Sequence, residues 1–397
     1  SEERRGVFGH AADTNQEMDD LPAEEMKQAP PPARGAASAP PPAGTPPERI
    51  AALGRYLLFD VAFHEQLNKQ RRALMFYLHL AMRLKRTLVL PRPRLLQRKK
   101  GARGSQFEAE AEYMRWGELF NVSALNTLHP AVELDEFLQR RGASPQIDVL
   151  TAIDHKGCEP GGAAETSFNG LSNVRVGRSQ CDSSLQHNVA ALGRMTEGAI
   201  AFSNSFDQLP FAAALGLRPY VRFEQGVYDR AAAFVAQQFG GKPFLAIHWR
   251  RTDFLVARST QPGVLQSAAS VIRHARRAIE RHGLAGVYLA TDSDDQEEMQ
   301  EVGLALVPVR YGPAVASHRP IDEVFAAALP AVKADAANVE IAICAMAARF
   351  LGTKTSSFTL AISEERRGVF GHAADTNQEM DDLPAEEREA APSHDEL

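Results

Sequence analysis

Apolar positions in the middle of the chain follow two rhythms. Tyr56 to Val61 is a short apolar run, and after it Leu67, Leu74, Tyr77, Ala81 and Leu84 step by seven, three, four and three, the stripe of a helix with one buried face. Thr87 to Leu90 is a β-rich run stopped by Pro91. Phe244 to Trp249, Gly286 to Thr291 and Leu304 to Val309 read as further strands, separated by helical stretches such as Ala268 to His282 and Val339 to Arg349. Strands returning at such intervals predict parallel βαβ units, an α/β chain. Two domains of this kind facing one another would take a ligand beyond the carboxyl ends of their strands.

The ends of the chain differ from this middle. Residues 22 to 47 hold nine of the 24 prolines among Ala and Gly. Proline supplies no amide donor and the stretch offers little to bury, so residues 1–46 are expected to be mostly disordered. Ser1 to Glu25 recurs letter for letter as Ser363 to Glu387. Solenoid repeats come in arrays that drift, so a recent duplication or a gene-model artefact fits better. The chain closes on His394, Asp395, Glu396 and Leu397; HDEL at this position is a receptor-read address for retention in the endoplasmic reticulum. Retention implies a secretory signal ahead of residue 1, permits a Cys158–Cys181 disulfide and makes the sequon Asn121-Val122-Ser123 usable for glycosylation. Cys344 lies in an apolar helical run and reads as a buried thiol.

Composition narrows the classes further. The 397 residues suit two domains, and no stretch approaches the roughly 20 apolar residues of a membrane-spanning helix. Lys+Arg 44 against Asp+Glu 50 gives a net charge of −6, which argues against a general nucleic-acid binder; the basic run Arg98 to Arg103 reads as a solvated loop.

Candidate chemistry gathers in three segments. Phe244 to Phe254 (FLAIHWRRTDF) runs a buried strand into His248, Arg250, Arg251 and Asp253. A guanidinium at such a strand end grips phosphate oxygens in pairs and holds developing negative charge, though a solvated Arg pair bridged to Asp253 is the bland alternative. In the second segment, Glu65 and Asn68 stand where the loop after the first strand becomes a helix. Amides there attract anions and Glu65 could act as a base, or serve only as a first-turn acid. The third is Phe350 to Phe358, where a strand, Gly352 and a hydroxyl cluster including Ser356 and Ser357 open a helix, a phosphate cradle without a Walker sequence. Glu340 on the preceding helix could accept the N1 and N2 protons of guanine, or be a surface acid. Tyr288 to Asp292 is another strand ending in a hydroxyl and an acid, with helix capping the default role of Asp292.

Together HxRRxDF, Glu65-x-x-Asn68-x-x-Arg71, Ala290-Thr291-Asp292 and the GT-x-x-SSF ending followed by Glu364-Glu365-Arg366 resemble the protein O-fucosyltransferases, in particular the type that modifies thrombospondin type 1 repeats. Trp116 to Phe120 and Ala131 to Leu134 extend the resemblance to the first domain. It implies a glycosyltransferase B-type fold of two Rossmann-like domains facing across a cleft. The expected division is a disordered segment 1–46, an N-terminal domain 47–222, a GDP-fucose-binding domain 223–367 and an acidic tail 368–397. It implies Glu65 and Arg250 as catalytic residues, and Asn68, His248, Glu340, Ser356, Ser357 and Phe358 as donor contacts. Gln66, Trp249 and Glu340 depart from the family's usual Gly, aliphatic residue and Asp.

The resulting expectation is inverting transfer of fucose from GDP-fucose to Ser or Thr of a small disulfide-rich protein domain in the endoplasmic reticulum lumen, without a metal or other cofactor. The expected partners are that acceptor domain and the retention receptor, with no nucleic acid and no membrane span. A glycan or other protein acceptor, and a non-catalytic retained binding protein, are the alternatives.

Overall fold

The computed structural model describes residues 48, 51, 53–61, 66–96, 111–142, 146–153, 168–171, 173–182, 192–205, 207–251, 254–261, 263–293, 295–306, 309–311 and 330–380. The expected disordered segment 1–46, Glu65, the basic run 98–103, Cys158, Asp253 and the HDEL terminus lie outside the described residues. The chain divides into two compact units. The first comprises Ser1–Pro93, Arg115–Gly117 and Asn121–Arg222; the second comprises Arg94–Met114, Glu118–Phe120 and Phe223–Leu397.

In chain order the first part of the fold contains β1 (Tyr56–Val61), α1 (Leu67–Leu84), β2 (Thr87–Leu90), β3 (Arg94–Leu96) and β4 (Ala111–Tyr113). It continues through α2 (Val122–Leu128), β5 (Ala131–Glu133), α3 (Leu134–Arg141), β6 (Ile147–Ile153), β7 (Val176–Asp182), β8 (Ala199–Ser205) and α4 (Phe211–Leu217). Strands β5-β2-β1-β8-β6-β7 form one parallel sheet, with Tyr56 paired to Thr87 on one side and Ala199 on the other. The β1 run is apolar at consecutive positions because both faces of a parallel sheet are covered; Leu57, Leu58 and Phe59 are all buried. The α1 stripe lies on this sheet, where Tyr77 stacks on Phe59 with ring centroids 4.5 Å apart. Lys85 ends the helix in the left-handed region (φ 50°).

Two segments depart from a division at residue 222. β3 and β4 pair antiparallel and belong to the second unit, as does Phe120, which bridges to Phe223. The backbone pairing of Phe120 with Phe223, rather than position along the chain, decides this membership.

The second part contains α5 (Gln225–Phe239), β9 (Leu245–Trp249), α6 (Phe254–Ala257), α7 (Ala268–His282), β10 (Val287–Thr291) and α8 (Gln296–Ala305). It ends with β11 (Val309–Tyr311), α9 (Pro330–Met346), β12 (Arg349–Thr353), α10 (Ser357–Gly368) and β13 (Asn377–Met380). Its parallel sheet has the order β11-β10-β9-β12-β13. Leu245, Ile247, Trp249, Val271, Leu289, Leu351 and Met380 share one apolar core.

The strand expected at Leu304–Val309 is instead the end of α8 followed by β11. Asp295 caps α8 by accepting from the amides of Glu297 and Glu298, Val302 and Leu306 bury one helical face, and the strand starts only after Pro308. The tail expected from residue 368 is likewise part fold. Asn377–Met380 pairs with β12, and the wholly buried Arg366 donates to Asn377 Oδ1 and to the carbonyls of Cys344 and Ala347. These acceptors are backbone or amide oxygens that a buried guanidinium can satisfy, which ties the segment down despite its polarity.

Candidate active site

Every residue of β9 is buried, and the chain emerges from the carboxyl end of the sheet at Arg250. His248 keeps 4% of its surface exposed; its Nδ1 lies 2.7 Å from Thr359 Oγ1 and its ring 4.8 Å from that of Phe358. Burial, reinforced by the neighbouring Arg250 charge, lowers its pKa to about 3, so the imidazole is neutral near pH 7. It can give or take one hydrogen bond without adding charge.

Arg250 is fixed at both ends. Its amide donates to Thr353 Oγ1 (2.9 Å), whose hydroxyl donates to the His248 carbonyl (2.9 Å). Its guanidinium lies 3.1 Å from Asp292 Oδ2 and 5.9 Å from the centre of the Phe254 ring, and the side chain remains 23% exposed. Asp292 Oδ1 meanwhile accepts from the Arg251 amide at 2.7 Å. Arg251 is engaged differently, since it pairs through Nε and Nη2 with Glu298 and lies over the Trp249 ring. The two arginines of the HxRR string thus separate into one presented at the strand end and one bound into the frame.

The turn from β12 into α10 approaches the same strand. Gly352 fits closely there: a Cβ would come within 2.3 Å of Thr359 Cγ2, so any side chain would have to displace the buried Thr359. Thr355 sits in the left-handed region at φ 59°, a conformation costly for a β-branched residue and of the kind that clusters at ligand-binding turns. Ser356 caps α10 through Oγ, which accepts from the Phe358 amide at 3.3 Å, and Ser357 is exposed in the first turn. Amides at a helix start that have no partner within the helix attract anions.

The sequence-based candidates therefore distribute unevenly. Contacts unite His248, Arg250, Phe358 and, through Thr353 and Thr359, the start of α10 with Ser356 and Ser357. Glu340 lies in a separate cluster on α9, where Tyr288 Oη donates to its Oε1 at 3.5 Å and burial raises its pKa to about 7. Cys344, one turn on, is a free buried thiol. Asn68 occupies the first turn of α1 in the first unit, partly exposed. Cys181 is disulfide-bonded.

Asp292 is the residue whose part the sequence left unread. It is not the cap of α8, a role taken by Asp295, but the partner of Arg250. The signal lay in the strand register: Thr291 pairs with Trp249, so the next residues, Asp292 and Arg250, leave neighbouring strands at the same height. In the first unit, Gly117 and the Ala131–Leu134 segment are joined by Glu133, whose Oε1 accepts from the Gly117 amide at 2.8 Å.

Two parallel-sheet units with polar strand ends define a glycosyltransferase B-type architecture. The crystal structures of POFUT1 in complex with GDP-fucose and with GDP share this fold. Each has a TM-score of 0.59 at 17% identity, covering 83% and 85% of this chain and 99% of theirs. The model of the GDP-fucose protein O-fucosyltransferase family matches residues 56–369, and the chain belongs to that family of enzymes. The protein named GDP-fucose protein O-fucosyltransferase 2 of Drosophila melanogaster is 24% identical over 406 residues, 82% of this chain and 79% of the relative. The protein of the same name from Caenorhabditis elegans is 31% identical over 126 residues. That match spans 32% of this chain and only 26% of the Caenorhabditis relative's length.

Proposed function

We propose that the chain transfers fucose from GDP-fucose, with inversion, to a Ser or Thr hydroxyl of a small disulfide-rich protein domain such as a thrombospondin type 1 repeat. Family membership supports the donor and the protein acceptor; the narrower acceptor class rests on the resemblance of the sequence motifs to the type that modifies thrombospondin type 1 repeats. The observation that carries the reading is the presentation of Arg250 at the carboxyl end of β9, braced by Asp292 and next to the start of α10.

In this reaction the acceptor oxygen attacks C1 of fucose as the bond from C1 to the β-phosphate oxygen breaks, so negative charge grows on the diphosphate. Arg250 meets that charge with a fixed guanidinium, which makes a metal ion unnecessary for neutralising it. The α10 amides, Ser356 and Ser357 hold the diphosphate, and Phe358 packs against neutral His248, which offers a hydrogen bond to the sugar or phosphate. Glu340 in its ionised form accepts the two guanine N–H groups, and Asn68 contacts the donor from α1. Glu65 takes the acceptor proton, directly or through one water. The HDEL ending supports the endoplasmic reticulum lumen as the compartment of this reaction, with the retention receptor as a partner.

Incubation of labelled GDP-fucose with thrombospondin repeats, epidermal growth factor-like repeats and free glycans tests the acceptor. Label only in folded thrombospondin repeats is the expected result. Label in free glycan alone would replace the protein acceptor, and donor binding without turnover would leave a binding protein.

A further inference from the structure

We propose that Asn121 carries an N-linked glycan on Nδ2 while its Oδ1 continues to cap α2. Such a modification requires passage through the secretory pathway, the compartment of the proposed function, and rests on that reading. The sequence supplies the acceptor pattern Asn121-Val122-Ser123, with no proline at the middle position. Such a pattern alone is common, and the structure adds three independent facts about this copy.

Asn121 is the N-cap of α2, and its Oδ1 accepts from the Ala124 amide at 2.8 Å. Because a backbone amide can only donate, the amide atom facing it is the oxygen, which fixes the orientation of the carboxamide. Nδ2 is then the atom turned away from the helix. It has no hydrogen-bond partner among the described residues, whereas Nδ2 of Asn126 on the same helix donates to the Val122 carbonyl. Finally, Asn121 and Val122 are partly exposed and Ser123 is exposed. The two residues that a glycosylating enzyme must reach, Asn121 and Ser123, are thus both accessible, the first in part. The Asn121 amide also donates to the Arg222 carbonyl at 2.9 Å, so the backbone is held in place without using the side-chain nitrogen.

The chemistry needs only what that compartment provides. A lipid-pyrophosphate-linked oligosaccharide is the glycosyl donor: a bond forms between Nδ2 and the sugar C1, the C1–O bond to the pyrophosphate breaks, and Nδ2 loses one proton. The product keeps one N–H and the carbonyl oxygen, so the capping bond survives.

The test expresses the full chain behind a cleavable secretory leader in animal cells, so that entry into the lumen is supplied and retention plays no part in the outcome. Intact-mass measurement and an amidase that removes N-glycans read occupancy. The expected wild-type result is one glycan, released by the amidase with conversion of Asn121 to Asp. Ser123→Ala and Asn121→Asp should both lose the glycan while keeping the cap, and Ser123→Thr should retain it. A folded wild-type chain recovered from the lumen or the medium, with its leader cleaved and no glycan at Asn121, would overturn the proposal. So would a glycan whose presence is unchanged in Ser123→Ala. GDP-fucose transfer measured on the same samples keeps this result separate from the proposed function.

Discussion

At the carboxyl edge of the second sheet, Arg250 leaves β9 with its guanidinium held by Asp292 on one side and partly exposed on the other. At the same edge of the first sheet, polar groups turn on one another. Asp60 Oδ2 accepts from the Asn169 amide at 2.9 Å, and Ser205 Oγ donates to Asp207 at 2.9 Å. Arg72 of α1 donates to Gln208 Oε1 and the Leu209 carbonyl. Burial first, and then the Asp207 and Asp60 charges, hold the Tyr77 hydroxyl well above its usual pKa. Among the described residues, one edge presents a cation and a helix start, and the other spends its charges on framing the loops. A diphosphate is matched by the first arrangement and not by the second, which is why donor recognition is assigned chiefly to residues of the second unit.

The contrast breaks most severely if Arg250 is removed. Arg250→Ala is expected to slow transfer by about a hundredfold or more, roughly 3 kcal/mol of barrier, with the thermal midpoint nearly unchanged because the side chain is partly exposed. Steady-state rates together with a melting curve check both halves. Gly352→Ala should act in the opposite sense, on stability. Forcing a methyl into Thr359 is expected to cost about 1–3 kcal/mol, read as a lower denaturant midpoint. Asp292→Asn keeps the size but not the charge that orients Arg250. It should lower kcat about tenfold, since a hydrogen bond to a charged group contributes about 1.5 kcal/mol, and Asp292→Glu should recover part of that loss.

The smallest effects are those of pH. Glu340 has its folded pKa raised from the ordinary carboxylate value to about 7, so the folded chain holds an extra proton between the unfolded pKa and about 7. Its stabilising contribution is complete below that window and is lost as pH rises through it. Ionisation is also what guanine recognition requires, so GDP affinity should increase between about pH 6 and 8 and Glu340→Gln should flatten that dependence, both read by calorimetry. His248 works the other way. Its lowered pKa means that stability is lost as pH falls from the ordinary histidine range towards about 3.

The sequence made much of this legible, and the residues show where it stopped. The β9 run and the α7 stripe were clear because a doubly covered strand is apolar at every position and a helix on a sheet repeats its buried face. The Gly352-to-Phe358 turn was readable because a glycine that cannot carry a Cβ and a capping serine have few other uses. β13 was hidden by its polarity: Asn377, Gln378 and Glu379 carry no strand-like apolar pattern, and only pairing with β12 makes them one. Asp292 was hidden for a different reason. Its partner lies far away along the chain, and only the register of β9 with β10 brings the two together.

The central claim, that a braced Arg250 and the start of α10 recognise a guanosine diphosphate, is tested most directly by titration calorimetry of the folded chain with GDP and with UDP, repeated on Arg250→Ala. The account predicts saturable binding of GDP, markedly weaker binding of UDP, and loss of most GDP affinity in the variant. Equal affinity for the two nucleotides, or an Arg250→Ala protein that binds GDP as the parent does, would contradict it.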